Sequence, residues 1–170
     1  MSGDEVKKPA LADAELPDKD FIGLFLEKVQ DNVVDEMAFE TSLNSDKEGA
    51  LSLEGMALLF EDLRSVSLTE VDLTLQEGRD HYFYGHSEDH YYWVVRVSRI
   101  ENPGKDFDVV LTATRADNEA SYRDQQDRGG LTIIGHVSSF GEVSVERISG
   151  DDGNKVNTFI PKYAPTPEED

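Results

Sequence analysis

The chain has 170 residues, no cysteine, and a formal net charge of −20 from 16 basic and 36 acidic residues. That length suits one domain with its own core, and the absence of thiols excludes disulfides, thiolate metal sites and a cysteine nucleophile. A field of this sign disfavours bare nucleic acid and anionic membranes, and favours basic protein surfaces or cations.

The opening stretch, Met1 to Pro9, lacks the apolar core of a signal peptide. No apolar run approaches the roughly 20 residues that a membrane helix needs, so a soluble, cytoplasmic protein is expected. Residues 1–17 mix charge, alanine and proline with little to bury, and are expected to form a flexible tail. Pro17 or Asp18 then opens a helix in which Phe21, Ile22, Phe25, Leu26, Val29, Val33 and Met37 recur at spacings of three and four. A second helix is expected near Leu53 to Ser65, with Ser52 as its N-cap and Met56, Leu59, Phe60 and Leu63 as its apolar stripe.

The polar break between these helices resembles, in part, the calcium loop of EF-hand proteins. Asn44, Asp46 and Glu48 alternate and Gly49 stands at the turn position, with Leu51 and Ser52 following. The resemblance covers about a dozen residues. It departs from the family at the first position, where Asn44 replaces an aspartate, and at the last, where Gly55 stands in place of the bidentate glutamate and Glu54 falls one place early.

From Thr69 onward the period changes from 3.6 to two. Val71, Leu73 and Leu75 alternate with polar residues, and Tyr82-Phe83-Tyr84 is placed to pair with a long strand, His90 to Ile100, across Gly85 to Asp89. In that strand Tyr91, Trp93, Val95 and Val97 are expected on one face, and His90, Tyr92, Val94, Arg96 and Ser98 on the other. Asn102-Pro103-Gly104-Lys105 makes a turn before the alternating Phe107, Val109, Leu111 and Ala113. Arg115 to Gly130 is polar, with a short exposed helix at most. Leu131 to Val137 and Glu142 to Ile148 form a last hairpin. The expected fold is therefore α+β: two N-terminal helices packed on one face of an antiparallel meander of about six strands, spanning residues 18–150. Residues 151–170 are expected to trail as an extended acidic, proline-containing tail bearing Phe159, Ile160 and Tyr163.

Two constellations carry chemistry. His81, His86 and His90 lie within ten residues beside Asp80, Glu88 and Asp89, ligands suited to a divalent metal if the hairpin brings them together. Apart from that metal, nothing calls for a cofactor. Tyr82, Tyr84 and Tyr92, together with Phe159 and Tyr163 of the tail, are the candidate protein-interface residues, since exposed tyrosines are favoured at interfaces. No Gly-x-Ser-x-Gly elbow or phosphate loop supports catalysis. The residues thus point to a small acidic, non-enzymatic binding module, of the adaptor, inhibitor, immunity or nucleic-acid-mimic kind, acting on a basic protein surface. The alternatives are a component of a larger assembly, such as a virion or secretion apparatus, in which a homo-oligomer would grip its neighbours through the tail, and a small-ligand or metal-dependent pocket protein.

Overall fold

A computed structural model describes residues 19–31, 51–71, 80–104, 106–125 and 128–160. The regular elements are α1 (Lys19–Val29), α2 (Leu53–Arg64), β1 (Thr69–Glu70), β2 (Asp80–His86), β3 (Tyr92–Glu101), β4 (Phe107–Ala116), α3 (Glu119–Arg123), β5 (Gly129–Val137), β6 (Val143–Asp151) and β7 (Val156–Phe159). The seven strands form one antiparallel sheet in the order of the sequence, β1 to β7. No helix among the described residues is long and apolar enough to cross a membrane.

Alternation decides which side chains are buried. On β3, Trp93, Val95 and Val97 turn inward and pair in register with Gly85, Phe83 and His81 of β2 and with Arg115, Ala113 and Leu111 of β4. The inward row continues through Leu131, Ile133 and Val137 to Val143, Val145 and Ile148. A register shift between Ile134 and Gly135 keeps the inward faces of β5 and β6 aligned on both sides of it.

The helices contribute their apolar stripes to the same core. Phe21, Ile22, Phe25, Leu26 and Val29 of α1, and Met56, Leu59, Phe60 and Leu63 of α2, are all buried in one cluster with the sheet residues. Small residues in the strands set the approach: a Cβ on Gly135 would lie 3.1 Å from Phe25 Cζ, and one on Gly150 would lie 2.5 Å from Met56 Cγ. Ser52 caps α2 by accepting the Gly55 N–H at 2.9 Å, as its position before the stripe predicts. The far end of the sheet is latched to α2 by Asn157, whose Nδ2 donates to the Leu51 carbonyl at 2.7 Å.

Several expectations are revised. The sheet has seven strands, because residues expected in the tail continue it: β6 runs to Asp151, and β7 returns beside it with Ile148 opposite Phe159. The first helix is described only from Lys19 to Val29. Val33, Met37, Leu73, Leu75, Tyr163 and the EF-hand-like Asn44, Asp46, Glu48 and Gly49 lie outside the described residues.

The β2–β3 and β5–β6 hairpins share one loop design. Ser87 N–H donates to the Tyr91 carbonyl and His90 N–H to that of Ser87, both at 2.9 Å; Ser138, Gly141 and Glu142 repeat the pattern with the same distances. The design calls for a left-handed residue in the third loop position. Gly141 supplies it at φ 86°, whereas His90 is held there at φ 71°. Glycine carries no steric cost in this region, though it loses more chain entropy on folding. His90→Gly is therefore expected to raise stability by roughly 0.5–1 kcal/mol, read as a higher midpoint in urea with an unchanged slope.

Candidate functional site

The sheet face turned away from the core carries Tyr82, Tyr84 and His86 from β2, and Tyr92, Val94 and Arg96 from β3. Pairing sets Tyr84 opposite Val94 and His86 opposite Tyr92, so the aromatic residues gather at the end of the sheet that holds the β2–β3 loop. Tyr92 in turn stands opposite Ala116, the last residue of β4, and the chain then passes into α3.

This short helix completes the cluster. Asn118 caps it by accepting the Ser121 N–H at 2.8 Å, and Glu119 forms an ion pair with Arg123 one turn on. Tyr122 thereby turns onto the sheet, its ring edge-on to Tyr92 at 5.6 Å between centroids. Arg128 stacks on the outer side of Tyr122, 4.0 Å from the ring centroid, and its Nε donates to the Tyr122 carbonyl at 3.0 Å. His86 meets Tyr92 edge-on at 5.4 Å, and Tyr84 meets it at 6.4 Å.

At these spacings the rings pack against one another and enclose no empty cage. Tyr92 is the floor of the cluster, 8 % exposed, while Tyr84 is 40 % exposed and His86 is open to solvent. Burial, followed by the negative charge of Glu119, pushes the Tyr92 hydroxyl above its ordinary pKa, so the phenol stays neutral and able to donate. Around the cluster, the two connecting loops present Glu88, Asp89, Asp117, Glu119 and Asp124, all exposed. An aromatic surface inside a largely acidic rim offers ring faces, phenolic hydroxyls and carboxylates together, the set of groups that receives cationic side chains.

The structure separates the three histidines of the hairpin. His81 and His86 are five residues apart on one strand and so point to opposite faces; His81 pairs with Val97 on the core side, and His90 sits in the loop. The metal expected there is therefore not supported by the arrangement. Phe159, expected at an interface, is 6 % exposed and packs in the core. Tyr82, Tyr84 and Tyr92 do share one face. Tyr122 was missed, because a single aromatic in a polar stretch has no periodicity; the signal available was the Asn118 cap, which sets the phase of α3.

At the other end of the same face, His136 is flanked by two carboxylates, Asp108 at 2.9 Å from Nδ1 and Asp106 at 3.3 Å from Nε2. The carboxylates approach opposite edges of the ring and do not converge on one point. Among the described residues, no group of three or more His, Asp or Glu side chains is placed to hold a metal ion. Comparison of the chain with known protein families, with curated proteins and with solved structures returns no match.

Proposed function

We propose that the protein is a small acidic, non-enzymatic binding module that receives a basic segment of a partner protein on the tyrosine end of its outer sheet face. In this reading α1 and α2 cover one side of the sheet, and the partner occupies the other. The observation that carries it is the juxtaposition of Tyr84, His86, Tyr92 and Tyr122 with the acidic loops that bear Glu88, Asp89, Asp117, Glu119 and Asp124. Tyrosine supplies large contact area at low entropic cost, and the carboxylates steer a cationic segment toward it. The assembly alternative relied on Phe159 and Ile160 as an arm, and Phe159 is committed to the core.

Affinity capture with the full chain, followed by measurement of the captured partner's Kd, tests this. Tyr84→Ala and Tyr122→Ala are each expected to weaken binding by about 1–2 kcal/mol, roughly five- to thirtyfold, and binding is expected to fall as salt is raised. A partner whose affinity ignores both substitutions and salt overturns the proposal.

A further inference from the structure

The tyrosines of the outer face differ in what already covers them. Tyr122 has its edge against Tyr92 and its outer side under the guanidinium of Arg128, and Tyr92 is buried beneath its neighbours. Tyr84 differs from both. It is 40 % exposed, meets Tyr92 at 6.4 Å with the ring planes 37° apart, and among the described residues has no cation over its ring. On its other flank the residue paired with it is Thr69 of the two-residue strand β1, itself exposed, so among the described residues only a small side chain stands there.

The chain shows which cation its rings receive. Arg99 lies over Phe107 at 3.8 Å, Arg115 over Tyr91 at 4.0 Å and Arg128 over Tyr122 at 4.0 Å. Arg128 keeps a further contact at the rim of its ring, where Nε donates to the Tyr122 carbonyl at 3.0 Å. A planar guanidinium can lay its face on a ring and direct its N–H groups sideways to an oxygen; the ammonium of lysine, a compact and strongly hydrated point charge, cannot do both. Beside Tyr84 the oxygens would come from Glu88 and Asp89, which follow it in the β2–β3 loop, are exposed, and make no ion pair among the described residues. Of the nearby cations, Arg123 is committed to Glu119, and Arg96 stands farther along β3, opposite Tyr82. Exposed carboxylates hold any cation weakly, so discrimination between arginine and lysine falls to the ring.

We infer that the basic segment received on this face presents arginine rather than lysine, with one guanidinium flat on Tyr84 and its N–H fork turned toward the loop of Glu88 and Asp89, as Arg128 lies on Tyr122 beside its carbonyl. The inference rests on the reading of this face as the binding surface and adds the side chain that the partner must carry. At an exposed ring the stack contributes modestly, so the expected preference is about two- to fivefold for each seated arginine.

Capped hexa-arginine and capped hexa-lysine, titrated separately into the full chain at fixed pH and constant ionic strength, provide the test. NMR follows the ring resonances of Tyr84 and His86, with His136 at the other end of the same face as the reference. Both peptides are expected to give saturable shifts of Tyr84 and His86 that spare His136, and hexa-arginine is expected to bind about two- to fivefold more tightly. Tyr84→Leu keeps the apolar bulk and removes the ring face, and is expected to bring the ratio of the two dissociation constants close to one. The comparison of the peptides on the parent chain does not depend on that variant. Equal affinities on the parent chain, or an unchanged ratio in folded Tyr84→Leu, overturn the arginine assignment and leave the binding face standing. Failure of both peptides to shift Tyr84 and His86, or equal shifts at His136, removes the binding face itself and the assignment with it.

Discussion

Replacing Trp93 by alanine is expected to remove about 3–5 kcal/mol of stability, enough to bring a domain at the low end of ordinary stability, about 5–15 kcal/mol, to the edge of unfolding. Trp93 is the chain's one tryptophan and is completely buried in the middle of the core. Its loss opens a cavity between β3 and the helices that neighbours can only partly fill. It also removes a polar contact, since the indole Nε1–H donates to Asp62 of α2 at 2.7 Å. The side chain of Asp62 is 7 % exposed, and a cationic neighbour, Arg115, is 4.0 Å away and turned over the Tyr91 ring.

Trp93→Phe separates the two contributions. The ring is largely kept, the donor is lost, and a buried carboxylate is left, among the described residues, with the more distant arginine. The expected cost is about 1–3 kcal/mol. Asp62→Ala should fall in the same range, and the double variant should cost less than the sum of the two, because both substitutions break the same bond. Urea unfolding followed by circular dichroism provides the measurement, since fluorescence is lost with the indole. Strict additivity would show that the hydrogen bond contributes nothing to coupling α2 with β3.

Gly85→Ala is the second substitution with a large expected effect, because the segment between α2 and β1 crosses β2 at this residue. A Cβ there would run into the Ser67 carbonyl oxygen and would lie 2.8 Å from Val66 Cγ1. Backbone is the obstacle, so the crossing segment must move as a whole. An expected loss of about 1–3 kcal/mol follows from overpacking of this kind. The displacement has a local signature: Ser65 Oγ accepts the Glu88 N–H at 2.9 Å, joining the C-terminal cap of α2 to the β2–β3 loop. Faster hydrogen exchange at the Glu88 amide is expected in Gly85→Ala, and an unchanged rate would place the strain elsewhere.

The parts of the fold that were legible in the sequence are those in which burial follows a period. The alternation of Trp93, Val95 and Val97 against Tyr92, Val94 and Arg96 is the pattern of a strand with unequal faces, and β3 has that form. The α2 stripe was legible for the same reason, with Ser52 marking its start. By contrast, β7 has only four residues and buries only Phe159. So short an edge strand has no measurable period, and the Asp151-Asp152-Gly153 run before it has the composition of a tail.

In the candidate site, parity and distance explain the remaining differences. The odd spacing of His81 and His86 sets them on opposite faces of a strand, a constraint that the sequence contains and that keeps the three histidines from forming one cluster. Tyr122 reaches Tyr92 across a separation of thirty residues, through the β4–β5 connection, and no local pattern encodes that contact.

The strand order has a kinetic consequence. Because every strand pairs with its neighbour in sequence, the sheet can grow outward from any hairpin by closing short loops, and the entropic cost of each step is small. The helices face the opposite situation: α1 and α2 precede the whole sheet, yet α2 is held by Asn157 at the far end of the chain, 106 residues from its partner Leu51. Formation of the meander is therefore expected to run ahead of helix docking. Until β6 and β7 are in place the Asn157–Leu51 hydrogen bond and the seat of Met56 on Gly150 are missing from the helix–sheet contact, which makes residues 143–159 a part of the chain on which completion of the core depends.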